Sequence, residues 1–67
     1  MLIKKSITIK KHRTSLSLEK EFWHALKIIS KEQKCSIENL VAEIDSNRKT
    51  SLASSIRVHL LKFYMKD

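Results

Sequence analysis

The stretch that most limits what this chain can fold into is Arg13-Thr14-Ser15-Leu16-Ser17-Leu18, which runs directly into Glu19-Lys20-Glu21-Phe22-Trp23. Side chains on a strand point to opposite faces with period two. Leu16 and Leu18 therefore share one face, and Arg13, Ser15 and Ser17 share the other. Immediately afterwards the period becomes that of a helix. A lone strand cannot satisfy its own edge hydrogen bonds, so this one needs a partner strand. In so short a chain a second copy of the same strand is the first candidate.

Length points the same way. A chain of 67 residues buries only about 60% of the surface its unfolded form exposes, and a single core of this size rarely supplies more than roughly 3–5 kcal/mol. With one cysteine no internal disulfide can form, and no Cys/His group has structural zinc spacing. Association is the remaining source of stability, so an obligate homodimer is expected.

Charge is unevenly spread. Of the formal net charge of +7, Lys4, Lys5, Lys10, Lys11 and Arg13 carry five units before any acid appears. Two such segments side by side in a dimer favour a polyanionic partner. No apolar run approaches the roughly 18 residues of a membrane span, and Met1-Leu2-Ile3-Lys4-Lys5 lacks the apolar core of a signal peptide. A cytoplasmic location, no membrane partner and a reduced Cys35 are expected, with Cys35 a small packing residue at a helix junction.

Before the central strand lies a second alternating piece, Lys5-Ser6-Ile7-Thr8-Ile9-Lys10. Its apolar residues are odd-numbered, whereas Leu16 and Leu18 are even, so the chain must bulge or turn within Lys10-Lys11-His12-Arg13. A tight hairpin usually wants Gly or Asn there, and neither is present. Residues 1–12 are therefore expected as a basic arm or an accessory strand, ahead of a domain spanning 13–67 with its strand at 13–18.

Three helices follow. Residues 19–33 carry Phe22, Leu26 and Ile29 on one face, widened by Trp23 and Ala25. Ser36 is expected as the N-cap of a second helix, 36–45, with Ile37, Leu40, Val41 and Ile44. Thr50 or Ser51 caps a third, at about 51–65, with Leu52, Ile56, Leu60, Phe63 and Tyr64 in a stripe broadened by Val58 and Leu61. The fold class is mainly α.

Catalysis is disfavoured. His12, His24 and His59 fall in separate elements, none beside a Ser or Cys at a familiar spacing, and a chain without glycine cannot build a Gly-rich phosphate loop. No catalytic residue, metal or cofactor is expected. The strand face is more informative. A two-stranded antiparallel ribbon fits the major groove of B-DNA, where Arg can grip guanine and Ser can donate or accept.

These residues carry a resemblance. Arg13-Thr14-Ser15-Leu16-Ser17-Leu18-Glu19, then a Phe22-Trp23 helix and a Ser36 cap before a short second helix, look like the ribbon-helix-helix superfamily of Arc, MetJ and CopG-type repressors. Ser6-Ile7-Thr8-Ile9, His12-Arg13-Thr14-Ser15, Leu40-Val41 and Glu43-Ile44-Asp45 resemble more closely a small, uncharacterised bacterial subfamily with a further C-terminal helix. The resemblance implies an intertwined homodimer joined through a two-stranded antiparallel ribbon, with Leu16, Leu18, Phe22, Trp23, Leu26, Ile29, Leu40, Val41 and Ile44 in the dimer core. It implies that Arg13, Ser15 and Ser17 read bases of double-stranded DNA and that the start of the second helix, at Cys35, Ser36 and Ile37, holds phosphate. Lys10, Lys11 and Lys34 are expected to add phosphate contacts. Relatives usually have glycine where Lys34 stands. The expected function is that of a sequence-specific transcriptional repressor. The alternative is a dimerising adaptor that docks a protein such as a toxin through the third helix. Residues 1–12 either track DNA or pair beside the ribbon and obstruct it.

Overall fold

The computed structural model describes residues 1–65; the expected domain extends to 67, and its last two residues lie outside the described ones. The elements are β1 (Leu2–Ile9), β2 (His12–Glu19), α1 (Lys20–Glu32), α2 (Ile37–Ser46) and α3 (Leu52–Tyr64). None of these helices is long and apolar enough to cross a membrane.

β1 and β2 form an antiparallel hairpin, with Ile9 opposite His12 and Ile3 opposite Leu18. The turn is only Lys10-Lys11, and both residues have positive φ, 50° and 70°. Paired left-handed residues are what a two-residue hairpin requires to match strand twist. The turn forms without the Gly or Asn that usually fills it, and of the two expectations for the first residues the accessory strand is the one seen. Lys10 and Lys11 adopt the strained backbone, and a hydrogen bond from Lys10 Nζ to Ser46 Oγ at 2.7 Å helps hold it. The two-residue turn also resolves the parity change. It sets odd residues of β1 against even residues of β2, so Ile7, Ile9, Leu16 and Leu18 all enter one core.

β2 therefore finds a strand partner inside its own chain, where a second copy was the first candidate. In the two-stranded sheet β1 occupies one edge of β2, and no strand lies on the other among the described residues.

The helices pack on the hairpin's apolar face. Trp23, Leu26 and Ile29 of α1, Leu40, Val41 and Ile44 of α2, and Ile56 and Leu60 of α3 are buried with the four strand residues, while Phe22 packs half-buried against them. Fully burying such a side chain contributes roughly 1.5–3 kcal/mol each. The indole of Trp23 binds α1 to β1 by donating from Nε1 to the Ile3 carbonyl at 2.9 Å, and Lys5 Nζ lies 5.1 Å from its ring centroid.

The apolar stripe of α3 is narrower than its sequence suggests. Ile56 and Leu60 are buried and Leu52 and Phe63 are half-buried, but Val58, Leu61 and Tyr64 face outward, at 47%, 57% and 57% exposure. Val58 and Leu61 follow Ile56 and Leu60 by two and one residues, roughly 200° and 100° around a 3.6-residue helix, and that rotation carries them off the core.

α1 ends in a Schellman motif. The Cys35 N–H donates to the Ser30 carbonyl at 2.9 Å and the Lys34 N–H to the Lys31 carbonyl at 3.1 Å. Lys34 sits at the left-handed position with φ 55°, the place that glycine usually fills. Ser36 and Ser51 cap the next two helices, their hydroxyl oxygens accepting from the N–H of Asn39 at 3.0 Å and of Ser54 at 3.2 Å.

Candidate nucleic-acid interface

Alternation along the hairpin divides it into two faces of opposite chemistry. The register sets Lys4 against Ser17, Ser6 against Ser15 and Thr8 against Arg13. Directly opposed residues point to the same side of a sheet, so all six share the face away from the helices. Five are exposed and Ser17 is half-buried. These six are two cations and four hydroxyls; the next pair on the same face, Leu2 and Glu19, adds an aliphatic side chain and an acid at the end away from the turn.

The hydrogen-bond pattern fixes which way the backbone of β2 points. In a two-residue hairpin the flanking pair, here Ile9 and His12, exchanges both ladder bonds, and bonded and non-bonded pairs then alternate. Thr8–Arg13, Ser6–Ser15 and Lys4–Ser17 are the non-bonded pairs. The Thr8 N–H accordingly turns away from β2 and donates to Glu38 Oε2 at 3.0 Å. By the same alternation the N–H and C=O groups of Arg13, Ser15 and Ser17 point outward along the free edge of β2. Beneath β2, toward the start of α3, a cleft is lined by Thr14, Leu16, Leu52, Ala53 and Arg57.

The residues expected to hold phosphate fall in two places. Lys10 and Lys11 stand at the hairpin turn, where Lys10 reaches Ser46 at the end of α2. Lys34, Cys35, Ser36 and Ile37 lie at the opposite end of that helix, a separation of about 15 Å for ten residues. Lys34 and Ser36 are exposed; Cys35 and Ile37 are half-buried against the core. The Ser36 oxygen is engaged by Asn39, but its proton remains available to donate. The first-turn N–H groups of α2 have no intrahelical partner, as in any α-helix. Glu38 introduces a carboxylate into this region and ties the start of α2 to the outer edge of β1.

At the junction of β2 and α1, Glu19 Oε1 meets Arg57 of α3 through Nε at 3.1 Å and Nη2 at 3.0 Å. Arg57 also stacks 5.8 Å from the Phe22 centroid. A hydrogen bond from its own backbone N–H, opposed by partial desolvation and reinforced by the Arg57 guanidinium, holds the Glu19 carboxyl below its ordinary value. Among the described residues no three His, Cys, Asp or Glu side chains converge as a metal site would require.

Sequence reasoning did not single out Lys4, Ser6 and Thr8 as partners of Arg13, Ser15 and Ser17. Their alternation with Ile7 and Ile9 was a usable signal, but the register that joins the two sets depends on the Lys10-Lys11 turn.

A β-ribbon leading into helices that pack on its apolar face, with a polar, cationic face turned outward, is the ribbon-helix-helix architecture, here with an added strand and a third helix. The family model described as a ribbon-helix-helix domain matches residues 2–64, and the chain belongs to that family. A search of curated proteins and a search of solved structures each return no significant match. The family is one of dimeric DNA-binding proteins and regulators of transcription, with antitoxin-like roles also represented, and it is typically not enzymatic.

Proposed function

We propose that this protein is a sequence-specific DNA-binding repressor that acts as a homodimer. The observation that carries the reading is the outer face of the hairpin, where Arg13, Ser15 and Ser17 stand in a row without an opposing acid. Two copies joined antiparallel along the free edges of β2 would bring two such rows together, and the outward N–H and C=O groups of those residues would form the new ladder. Arg13 would grip a guanine and the serines would select among neighbouring base edges. Lys10, Lys11, Lys34 and the start of α2, at Cys35, Ser36 and Ile37, would hold the phosphate backbone.

Selection from random duplex DNA tests this. A palindromic consensus bound roughly a thousandfold more tightly than scrambled duplex at physiological salt is the expected result. Arg13→Ala should then cost on the order of 1–3 kcal/mol and relax specificity at one position of each half-site. Equal weakening on every sequence would reduce Arg13 to a phosphate contact.

A second reading, an adaptor that docks a protein such as a toxin, is favoured by one observation: the outward apolar side chains Val58, Leu61 and Tyr64 on α3. Steeply salt-dependent DNA binding with no consensus would shift the balance to it, because charge alone produces that behaviour.

A further inference from the structure

The hairpin adds a strand to the outside of each proposed ribbon, and that strand has its own place on DNA. We propose that β1 is a groove-wall strand, in which Lys4 and Ser6 contact phosphates flanking the bases read by Arg13, Ser15 and Ser17. This rests on the DNA-binding reading above.

The argument begins with width. Neighbouring strands lie about 4.8 Å apart, so a sheet ordered β1-β2-β2-β1 across the dimer spans about 14 Å between its outer strand axes. The major groove is about 12 Å wide. The two central strands fit the groove, and the outer two arrive at its rims, where the phosphates lie. A fully inserted four-stranded sheet is too wide, which makes the chemistry of β1's outer face decisive. An apolar or acidic outer strand would hold the ribbon off the DNA. Here that face offers an ammonium at Lys4 and hydroxyls at Ser6 and Thr8, each exposed and each opposite one residue of the reading row, and its one apolar residue, Leu2, lies at the strand's far end, beyond that row. At Thr8 the nearby Glu38 carboxylate opposes a phosphate, so the contacts are assigned to Lys4 and Ser6.

The structure supplies an internal control. Lys5 carries the same charge one residue away, but it stands on the other face, with Nζ 5.1 Å from the Trp23 ring centroid. A diffuse electrostatic role would make the two lysines equivalent; a groove-wall role would not.

The experiment measures the affinity of the full chain for its selected duplex and for scrambled duplex across a salt series, for wild type, Lys4→Gln, Lys5→Gln and Arg13→Ala. Lys4→Gln is expected to weaken both duplexes alike and to reduce the slope of log K against log salt by roughly 1.8 per dimer, about 0.9 for each of two phosphates. Lys5→Gln should change the slope by less than half as much. Equal slope losses for Lys4→Gln and Lys5→Gln, or no loss for Lys4→Gln, would overturn the groove-wall assignment, even with Arg13→Ala still relaxing the consensus. Wild type showing no consensus, with Arg13→Ala behaving like Lys5→Gln, would remove the base-reading proposal and this one with it.

Discussion

The middle of the chain, β2 through α2, and its two ends, β1 and α3, use their apolar residues differently. The middle supplies eight of the twelve buried core residues and leaves one large apolar side chain, Ile28, exposed. The ends supply only four, Ile7, Ile9, Ile56 and Leu60, yet they expose Leu2, Ile3, Val58, Leu61 and Tyr64. The middle is thus spent on the core. The ends close that core, β1 along one edge of β2 and α3 against its apolar face, and keep apolar surface facing outward. A single chain can in this way enclose Leu16 and Leu18, while the large apolar side chains left exposed lie mainly on the added elements.

The sharpest way to break this comparison is to ask whether α3 belongs to the core or is an appendage. Leu60→Ala and Leu26→Ala should each cost about 2–5 kcal/mol, the range for deleting a fully buried leucine, as read by denaturant unfolding. A cost below about 1 kcal/mol for Leu60→Ala alone would make α3 peripheral.

A smaller effect concerns the joints. Lys34, inside the middle, and Lys11, between β1 and β2, both hold left-handed backbone. A non-glycine residue there costs roughly 1–2 kcal/mol, and glycine loses part of that advantage through its freer unfolded state. Lys34→Gly and Lys11→Gly should therefore each stabilise by about 0.5–1 kcal/mol, seen as a melting temperature raised by several degrees. Stabilisation by Lys34→Gly but not by Lys11→Gly would mean that the hairpin turn gives up the two-residue form in solution.

The smallest effect tests the tie between β2 and α3. The Glu19 carboxyl is held below its ordinary value of 4.5, so its contribution to stability is complete above that value and fades as pH falls through the lower, folded one. Glu19→Gln should flatten the acid limb of the stability profile in that window. An unchanged limb would mean that the carboxylate's two contacts, with its own backbone N–H and with Arg57, together carry no net stability.

Much of this was legible beforehand. The stripes of α1 and α2 could be read because Leu26, Ile29, Leu40, Val41 and Ile44 repeat at helical spacing with polar residues between them. Ser36 was readable as a cap because a hydroxyl directly before an apolar helix has few other uses. The row Arg13, Ser15, Ser17 followed from period two alone. Its neighbours Lys4 and Ser6 did not, since their relation to that row needs a register.

By itself the sequence determined the succession of three helices after the strand, the two faces of β2 and a parity change that demanded a bulge or a turn within residues 10–13. Only the tertiary structure decided that the turn has two residues, that β1 lies beside β2, and that Val58 and Leu61 leave the core. Periodicity reports which residues share a face of one element. The pairing of one element with another depends on turn geometry and on competition for the same buried surface, and in this chain lysines hold the left-handed positions where glycine would have announced the turn.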